Sequence, residues 1–529
     1  MEQPLTLTAT IALVGILPIA VVLFLLLPPR TAAAATYVVG WLFLPQAQIP
    51  VPGAIPDWDR VNAIAISVLA GVAVMDGSRL SRLRPSLLDL PVIAYCALIP
   101  LASSMSNGLG LYDGAAQALT VSFTIGLPYL VGRMYFSDPR GLRILAIAVF
   151  LAGLIYVPLC LWEVRMSPQI HRTVYGFHQH TFLQTYRFGG WRPMVFLQHG
   201  LAVGMLLTCA AIQGMWLWSC RRLDRWQTEG GVALVVLVLT AIFCKSLGAV
   251  MLLAAGTGAL LAARHLGTRA LLVALTVIPP AYITVRMSGS WAAEGLVDII
   301  ATNISADRAA SVQYRLHNET LIVDKGWEQP LLGWGGWGRG KVEDESRGKT
   351  VVADGMWVIA FNRAGLAGLS ALNLMFLLPV WCVLARAGPP RLWTADAQIA
   401  VGLAAMLALY AIDNLMNAMF SPWNPLAMGG LTGWLAWRRT LRARPTLRSQ
   451  AVARWGPLEV KRREGIALSA TLALEPELRA AYAPRFQALL LLLDPAQVEA
   501  FAAATPAAQR ETVERWLGLR PAAEPAPAG

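Results

Sequence analysis

Gly231–Arg264 reads GVALVVLVLTAIFCKSLGAVMLLAAGTGALLAAR. Read as one tilted helix it crosses a bilayer once; read as 231–245 and 246–263 it crosses twice. The choice reverses the orientation of every later segment. Each half is short against the roughly 20 apolar residues that a membrane-spanning helix needs. The arginines decide for the split. Connections carrying Arg79/Arg82/Arg84, Arg133/Arg140/Arg143, Arg221/Arg222/Arg225, Arg264/Arg269 and Arg386/Arg391 all fall on one side only if the stretch is divided. Arg438/Arg439/Arg442/Arg444, at the start of the tail, join them. Arginine-rich connections face the cytoplasm, so 45–60, 108–113, 163–193 and 289–352 face outward.

The composition agrees with a membrane chain. The 529 residues are 56% hydrophobic and 14% charged, whereas soluble domains carry about a quarter charged residues. The net charge of +12 is spread over short connections rather than gathered in a basic domain, which argues against nucleic acid as a partner. The six cysteines lie in or beside apolar runs, with no disulfide framework and no zinc-site spacing. The first apolar run follows MEQPLT, which lacks the positive start of a secretory signal, and is read as a retained span.

Hydropathy predicts helices near 7–28, 32–48, 61–76, 89–107, 114–135, 141–162, 194–218, 231–245, 246–263, 269–288, 364–386, 396–419 and 422–438. The expected fold is therefore all-α: a polytopic integral membrane protein of about 12–13 transmembrane helices. Residues 1–444 form the membrane domain. Residues 445–529 are a small cytoplasmic helical tail with a Pro/Ala-rich end, and Asp494-Pro495-Ala496-Gln497 has the form of a capping box.

The outward segments carry the chemistry. YRFGGWRPMVFLQHGLAVGM places Arg192 just before a helix that begins near His199. The loop at 289–352 contains YRLHNETLIVDKGWEQPLLGWGGWGRG, and the chain re-enters the apolar region with ADGMWVIAFNRAGLAGL. An arginine before PMVFLQHGLA, a KSLGA break, an arginine some fifteen residues before PLLGWG and the returning GMWVIAFNRAGLAGL occur in that order over about 190–385. In this the chain resembles the O-antigen ligase and polymerase superfamily of bacterial membrane glycosyltransferases. The resemblance implies a GT-C-like fold in the bacterial inner membrane, with its active face periplasmic. It further implies inverting transfer of a glycan from an undecaprenyl-pyrophosphate donor to the hydroxyl of a glycan or lipid acceptor. No metal or other cofactor is implied. Where the family usually carries histidine this chain has Asp354, and Arg363 stands in place of its usual glutamate.

The same roles follow from charge. A departing pyrophosphate develops two to three negative charges, which arginine forks stabilise; Arg192 and Arg315 are the candidates. An acceptor hydroxyl needs a proton acceptor within reach; Asp354 is the candidate, with His317 its substitute. His199 is expected to face the same cavity. Gly333, Gly335, Trp334 and Trp337 are expected to form a flexible wall, the glycines allowing close approach and the tryptophans offering flat faces to sugar rings.

Plainer readings exist for each. Arg192 can be an interfacial snorkelling residue, Arg315 a partner of Glu319 or Asp307, Asp354 a helix cap, His199 a core histidine, and the Gly/Trp stretch an interfacial loop. His171, His178 and His180 invite a zinc reading but lack a matching ligand set. Asp413, inside an apolar span, is read first as a helix–helix hydrogen-bonding group and second as a sign of a transporter. A non-catalytic assembly factor that binds polysaccharide-synthesis proteins through its tail is a third possibility.

Overall fold

The computed structural model describes residues 5–516, apart from 84, 188, 292–293, 304–305, 337, 345–347, 444–446, 473–482 and 484–485. Nearly all of it is helix. The strands among the described residues are three antiparallel pairings of two residues each, including Gln48–Ile49 with Trp58–Asp59 and Tyr186–Arg187 with Gly190–Trp191. Among the described residues nine helices are long and apolar enough to cross a membrane.

In chain order the helices are α1 (Leu7–Leu26), α2 (Pro29–Phe43), α3 (Arg60–Met75), α4 (Leu87–Ser106), α5 (Leu111–Tyr135), α6 (Pro139–Met166), α7 (Gly200–Ser219) and α8 (Gln227–Phe243). They continue with α9 (Leu247–Leu266), α10 (Ala270–Met287), α11 (Glu294–Asn303), α12 (Ala306–Trp327), α13 (Met356–Ala387), α14 (Ala395–Met416) and α15 (Trp423–Ala443). Of these, α3 and α8 are apolar but short. The central element is α7, almost wholly buried and packed by α6, α8, α9 and α14. Lipid tails give apolar helices no hydrophobic reason to associate, so close van der Waals fit carries the packing. Small residues provide that fit: Gly153 of α6 meets Ala210 of α7, and Gly402 of α14 meets Trp216.

The opening stretch is indeed two helices. The turn between α8 and α9 passes through Lys245, whose φ of 52° is uncommon for a residue with a side chain. Ser246 begins α9 without capping it through its side chain. It packs instead on Gly204 of α7, where a Cβ would sit 2.8 Å from Ser246.

Two expectations need correction. The helix expected from 194 starts at Gly200, because residues 193–199 form an irregular loop and His199 is in extended conformation (φ −160°, ψ 155°). The region 289–352 is largely helical: α11 and α12 lie within it. Its glycine-rich part is no flexible wall. α13 is broken at Gly365 (φ 61°, ψ −161°), which frees peptide groups on both sides of the break. Segment 330–335 takes them up. Trp334 N and Gly335 N donate to the carbonyls of Asn362 and Arg363 at 2.9 and 2.8 Å. In return Leu366 N and Ala367 N donate to Pro330 O and Leu331 O at 2.7 and 3.1 Å. From α4 and the residue that follows it, Ser103 Oγ donates to Leu332 O at 2.5 Å and Asn107 Nδ2 to Gly333 O at 2.8 Å. The chains approach so closely that a Cβ at Gly333 would lie 2.5 Å from Ala364 N, and one at Gly365 would lie 2.4 Å from Leu331 O.

The compact units are Met1–Trp437 and Arg438–Gly529. In the second, Pro457–Leu472, Pro495–Ala503 and Pro506–Trp516 are helical, and Phe486, Leu490, Val498, Phe501 and Val513 form its core. Arg463 is fully buried and bonds Glu459, Leu490 O and Leu493 O. The capping box is present, with Gln497 N on Asp494 Oδ1 at 2.9 Å and Asp494 N on Gln497 Oε1 at 3.2 Å.

Gly365→Ala tests the broken helix. A side chain in this glycine-only conformation costs about 1–3 kcal/mol before any clash is counted. The variant should melt at a lower temperature in detergent and be cleaved faster between 328 and 350. Wild-type melting and cleavage would contradict the crossed-backbone arrangement.

Candidate active site

The loop before α7 is held from every side. Glu163, near the end of α6, accepts Ile170 N at 3.1 Å and both Met194 N and Val195 N at 2.8 Å. Gln179 Nε2 donates to Val195 O and Leu197 O at 3.0 and 3.1 Å. Phe196 O accepts from Gln46 Nε2 at 3.0 Å and Arg60 Nη1 at 3.1 Å. This bonding sustains a φ of 50° at Val195, an outlier for a β-branched residue and a form of strain found where the surroundings over-determine the backbone.

The loop delivers Arg192 and His199. Arg192 is buried, and its Nη2 donates to Ser246 Oγ at 3.2 Å, across the break between α8 and α9. Its side chain lies over Gly200, where a Cβ would fall 2.6 Å from Nε. His199 caps α7, its Nδ1 accepting Leu201 N at 3.1 Å. Burial, and then the charges of Arg192, His180, Arg187 and Arg315, push its pKa down to about 3. At neutral pH the ring is therefore uncharged. With Nδ1 accepting, Nε2 carries the proton, so His199 can donate a hydrogen bond but is poorly suited to take a proton.

Arg315 reaches the same neighbourhood from α12. Its Nε lies 3.4 Å from Asp354 Oδ2, and its Nη1 is 3.4 Å from Met416 O at the end of α14. Both side chains of the pair are about one-third exposed (31% and 37%), so they are open to a ligand. Asp354 is not the cap of α13: that position is Gly355, without a side-chain bond. Nor does Arg315 pair with Glu319, which binds Arg286 Nε at 2.5 Å and Tyr282. Asp413, one turn before the end of α14, is buried and interacts with Arg315. Its Oδ1 accepts Asn417 Nδ2 at 2.7 Å, a bond at the end of its own helix rather than between helices.

Arg315 pairs directly with Asp354, and Arg192 and Arg315 both act on His199 through the field of their charges. His317 is not part of this group. It follows Arg315 by two positions on α12 and meets Asp344 at 3.2 Å. It lines a separate cavity of about 590 Å³ with Arg286, Trp291, Asp298 and Trp327. Gly333 and Gly335 belong to the crossed backbone described above. Trp334 donates from Nε1 to Lys325 O at 2.8 Å, and Lys325 Nζ lies 4.1 Å from its ring centre, so one face of the ring is already covered. Trp337 lies outside the described residues. The loop histidines separate: His171 accepts Gln46 N at 3.2 Å, His178 packs on Phe182, and His180 packs on His199 at 4.7 Å. Among the described residues no group of three or more His, Cys, Asp or Glu is placed to hold a metal ion.

Four contributors escaped the sequence reading. Glu163 sits inside an apolar helix, an isolated acid that signals a buried partner. Lys245 lies against Gly190, where a Cβ would fall 2.2 Å from its Nζ; its signal was being the sole charge between Glu229 and Arg264. Arg187 and the coupling of Asp413 to Arg315 left no signal in local pattern. No family model matches the chain, and no curated protein matches it.

The depressed pKa of His199 has a testable consequence. Between about pH 3 and the ordinary 6.5 the unfolded state binds a proton that the folded state refuses. Stability therefore falls as pH is lowered through that window. Moving from pH 7 to pH 5 should cost up to about 2 kcal/mol through this residue. Melting of His199→Asn, which keeps a capping acceptor, should depend less on pH than that of wild type. Parallel melting curves would contradict the buried, neutral ring.

Proposed function

We propose that this chain is an inverting glycosyltransferase of the bacterial inner membrane, a polysaccharide polymerase or O-antigen ligase with a GT-C-like bundle and its site at the periplasmic face. The observation that carries the reading is that Arg315 pairs with Asp354 at 3.4 Å, while Arg192 and Arg315, from distant segments, both bear electrostatically on His199. The ordered motifs that resemble the O-antigen ligase and polymerase superfamily support it. So does the arginine pattern, which assigns these segments to the outer side.

In this reading the pyrophosphate of an undecaprenyl-linked donor lies between Arg192 and Arg315. The two forks approach from different segments and spread the charge over several donors, which a single lysine cannot do. His199 Nε2–H adds a neutral donor. Asp354 takes the proton of the acceptor hydroxyl, whose oxygen attacks the anomeric carbon from the face opposite the leaving group. The bond from that carbon to the pyrophosphate oxygen breaks, and its electron pair leaves on undecaprenyl pyrophosphate. The configuration inverts. Asp413, buried near the end of α14, adds a carboxylate whose field acts on Arg315. The second unit is the place for contacts with other polysaccharide-synthesis proteins.

Asp354→Asn, with expression confirmed, should lower glycosidic bond formation about 100-fold or more in liposomes holding a lipid-linked donor, the usual scale for loss of a general base. Arg315→Lys should lose a comparable amount, because an ammonium cannot replace the planar fork. A transporter would change only the sidedness of the donor. Normal product from Asp354→Asn would remove the assigned base.

A further inference from the structure

A second cavity, of about 500 Å³, lies beside the loop that carries Arg192, between the start of α3, the Gln48–Asp59 hairpin and Phe420. Cavities that hold small ligands run about 300–1,000 Å³. Arg60, only 4% exposed, lines it. Its Nη1 serves Phe196 O and Trp41 O at 3.1 and 3.4 Å, and its guanidinium carbon lies 3.9 Å from the centre of the Trp41 ring. Nε and Nη2 bond no protein acceptor among the described residues, and neither is sealed from water. No carboxylate among the described residues forms an ion pair with it. Asp59 interacts with Arg60 through space but spends Oδ1 on Asn62 N at 2.8 Å, and Asp57 accepts Val51 N at 3.1 Å.

A buried guanidinium is costly unless an anion meets it, and here its open edge faces a cavity of ligand size. Asp59 also lines the cavity, with Oδ1 held by Asn62 N, and the other polar and aromatic lining has the chemistry of sugar recognition. Gln48 and Gln198 bring amide groups, and Phe420, edge-on to Trp41 at 5.9 Å, brings an aromatic wall. We propose that this cavity binds an acidic saccharide, its carboxylate held bidentately by Arg60 and its hydroxyls by the glutamine amides. Gln198 is the chain neighbour of His199, and Arg60 holds the carbonyl of Phe196 in the same loop. A saccharide seated there lies next to the transfer site and is its acceptor. Only the name acceptor rests on the transferase reading; the binding does not.

The test uses the full chain in nanodiscs and two probes, a glucuronate–glucose disaccharide and neutral cellobiose, with saturation-transfer NMR and calorimetry. Wild type should bind the acidic sugar at least ten times more tightly than the neutral one. Arg60→Gln should erase that preference, and Arg60→Lys should keep part of it. Because Arg60 also braces Phe196, Thr124→Phe provides a second arm: it narrows the cavity, leaves Arg60 in place, and should weaken both sugars at least ten-fold. Equal affinity of wild type for the two sugars, no binding, or an unchanged preference in Arg60→Gln would overturn the proposal. So would an acidic phospholipid that binds through Arg60 where the uronate does not. Acidic-sugar binding without any product from a lipid-linked donor would sink the transferase reading and leave this site standing. Transfer that persists without Arg60-dependent sugar binding would do the reverse.

Discussion

The arrangement depends on an exchange of peptide hydrogen bonds. Breaking α13 at Gly365 leaves carbonyls and amides without helical partners, and in an apolar surrounding each such group costs several kcal/mol. Segment 330–335 satisfies four of them with its own backbone. Side chains cannot substitute here, because the two chains approach within the space of a single Cβ. The exchange therefore fixes the far end of α12 against the near half of α13. Arg315 comes from one of these elements and Asp354 precedes the other.

A second constraint sets the opposite wall. The loop from Arg192 to His199 is not shaped by local preference, since Val195 adopts a conformation it ordinarily avoids. Three amides on one buried carboxylate, and carbonyls taken by Gln46, Arg60 and Gln179, hold it there. The short turn between α8 and α9 then offers Ser246 to Arg192. Irregular backbone set into a helical bundle shapes both walls: the loop ending at His199 carries Arg192, and the 330–335 crossing anchors α12, the helix that carries Arg315. Such preorganisation is what stabilising a developing charge requires, because the donors need not rearrange when the charge appears.

Much of the scaffold was legible in the sequence because apolar run length is a strong signal. The division of 231–263 followed from arginine bookkeeping alone and agrees with the turn at Lys245. Arg192 stood out as a charge at the start of an apolar run, whereas Arg315 and Asp354 were picked out as charges within the outward 289–352 loop and just beyond it. What escaped was anything set by backbone-to-backbone contact. The stretch PLLGWG looks like a supple loop because glycine permits many conformations. Here its glycines serve close approach, and Trp334 is spent on Lys325. His317 looked like a neighbour of Arg315 because two positions are close in sequence, yet on a helix they diverge. Glu163 and Asp413 stand in the sequence as isolated acids with local partners in Ile170 and Asn417. The partners that matter for the site, Met194 and Val195 for one and Arg315 for the other, reach them only through the fold.

The central claim is that Arg192 and Arg315 grip one pyrophosphate. A double-mutant cycle with undecaprenyl pyrophosphate binding, using Arg192→Gln, Arg315→Gln and the pair, tests it most directly. Each single change should weaken binding roughly 10-fold or more, and the pair should differ from the product of the singles, giving a coupling of about 0.5–3 kcal/mol. Losses that simply multiply, or wild-type affinity in either single variant, would contradict it.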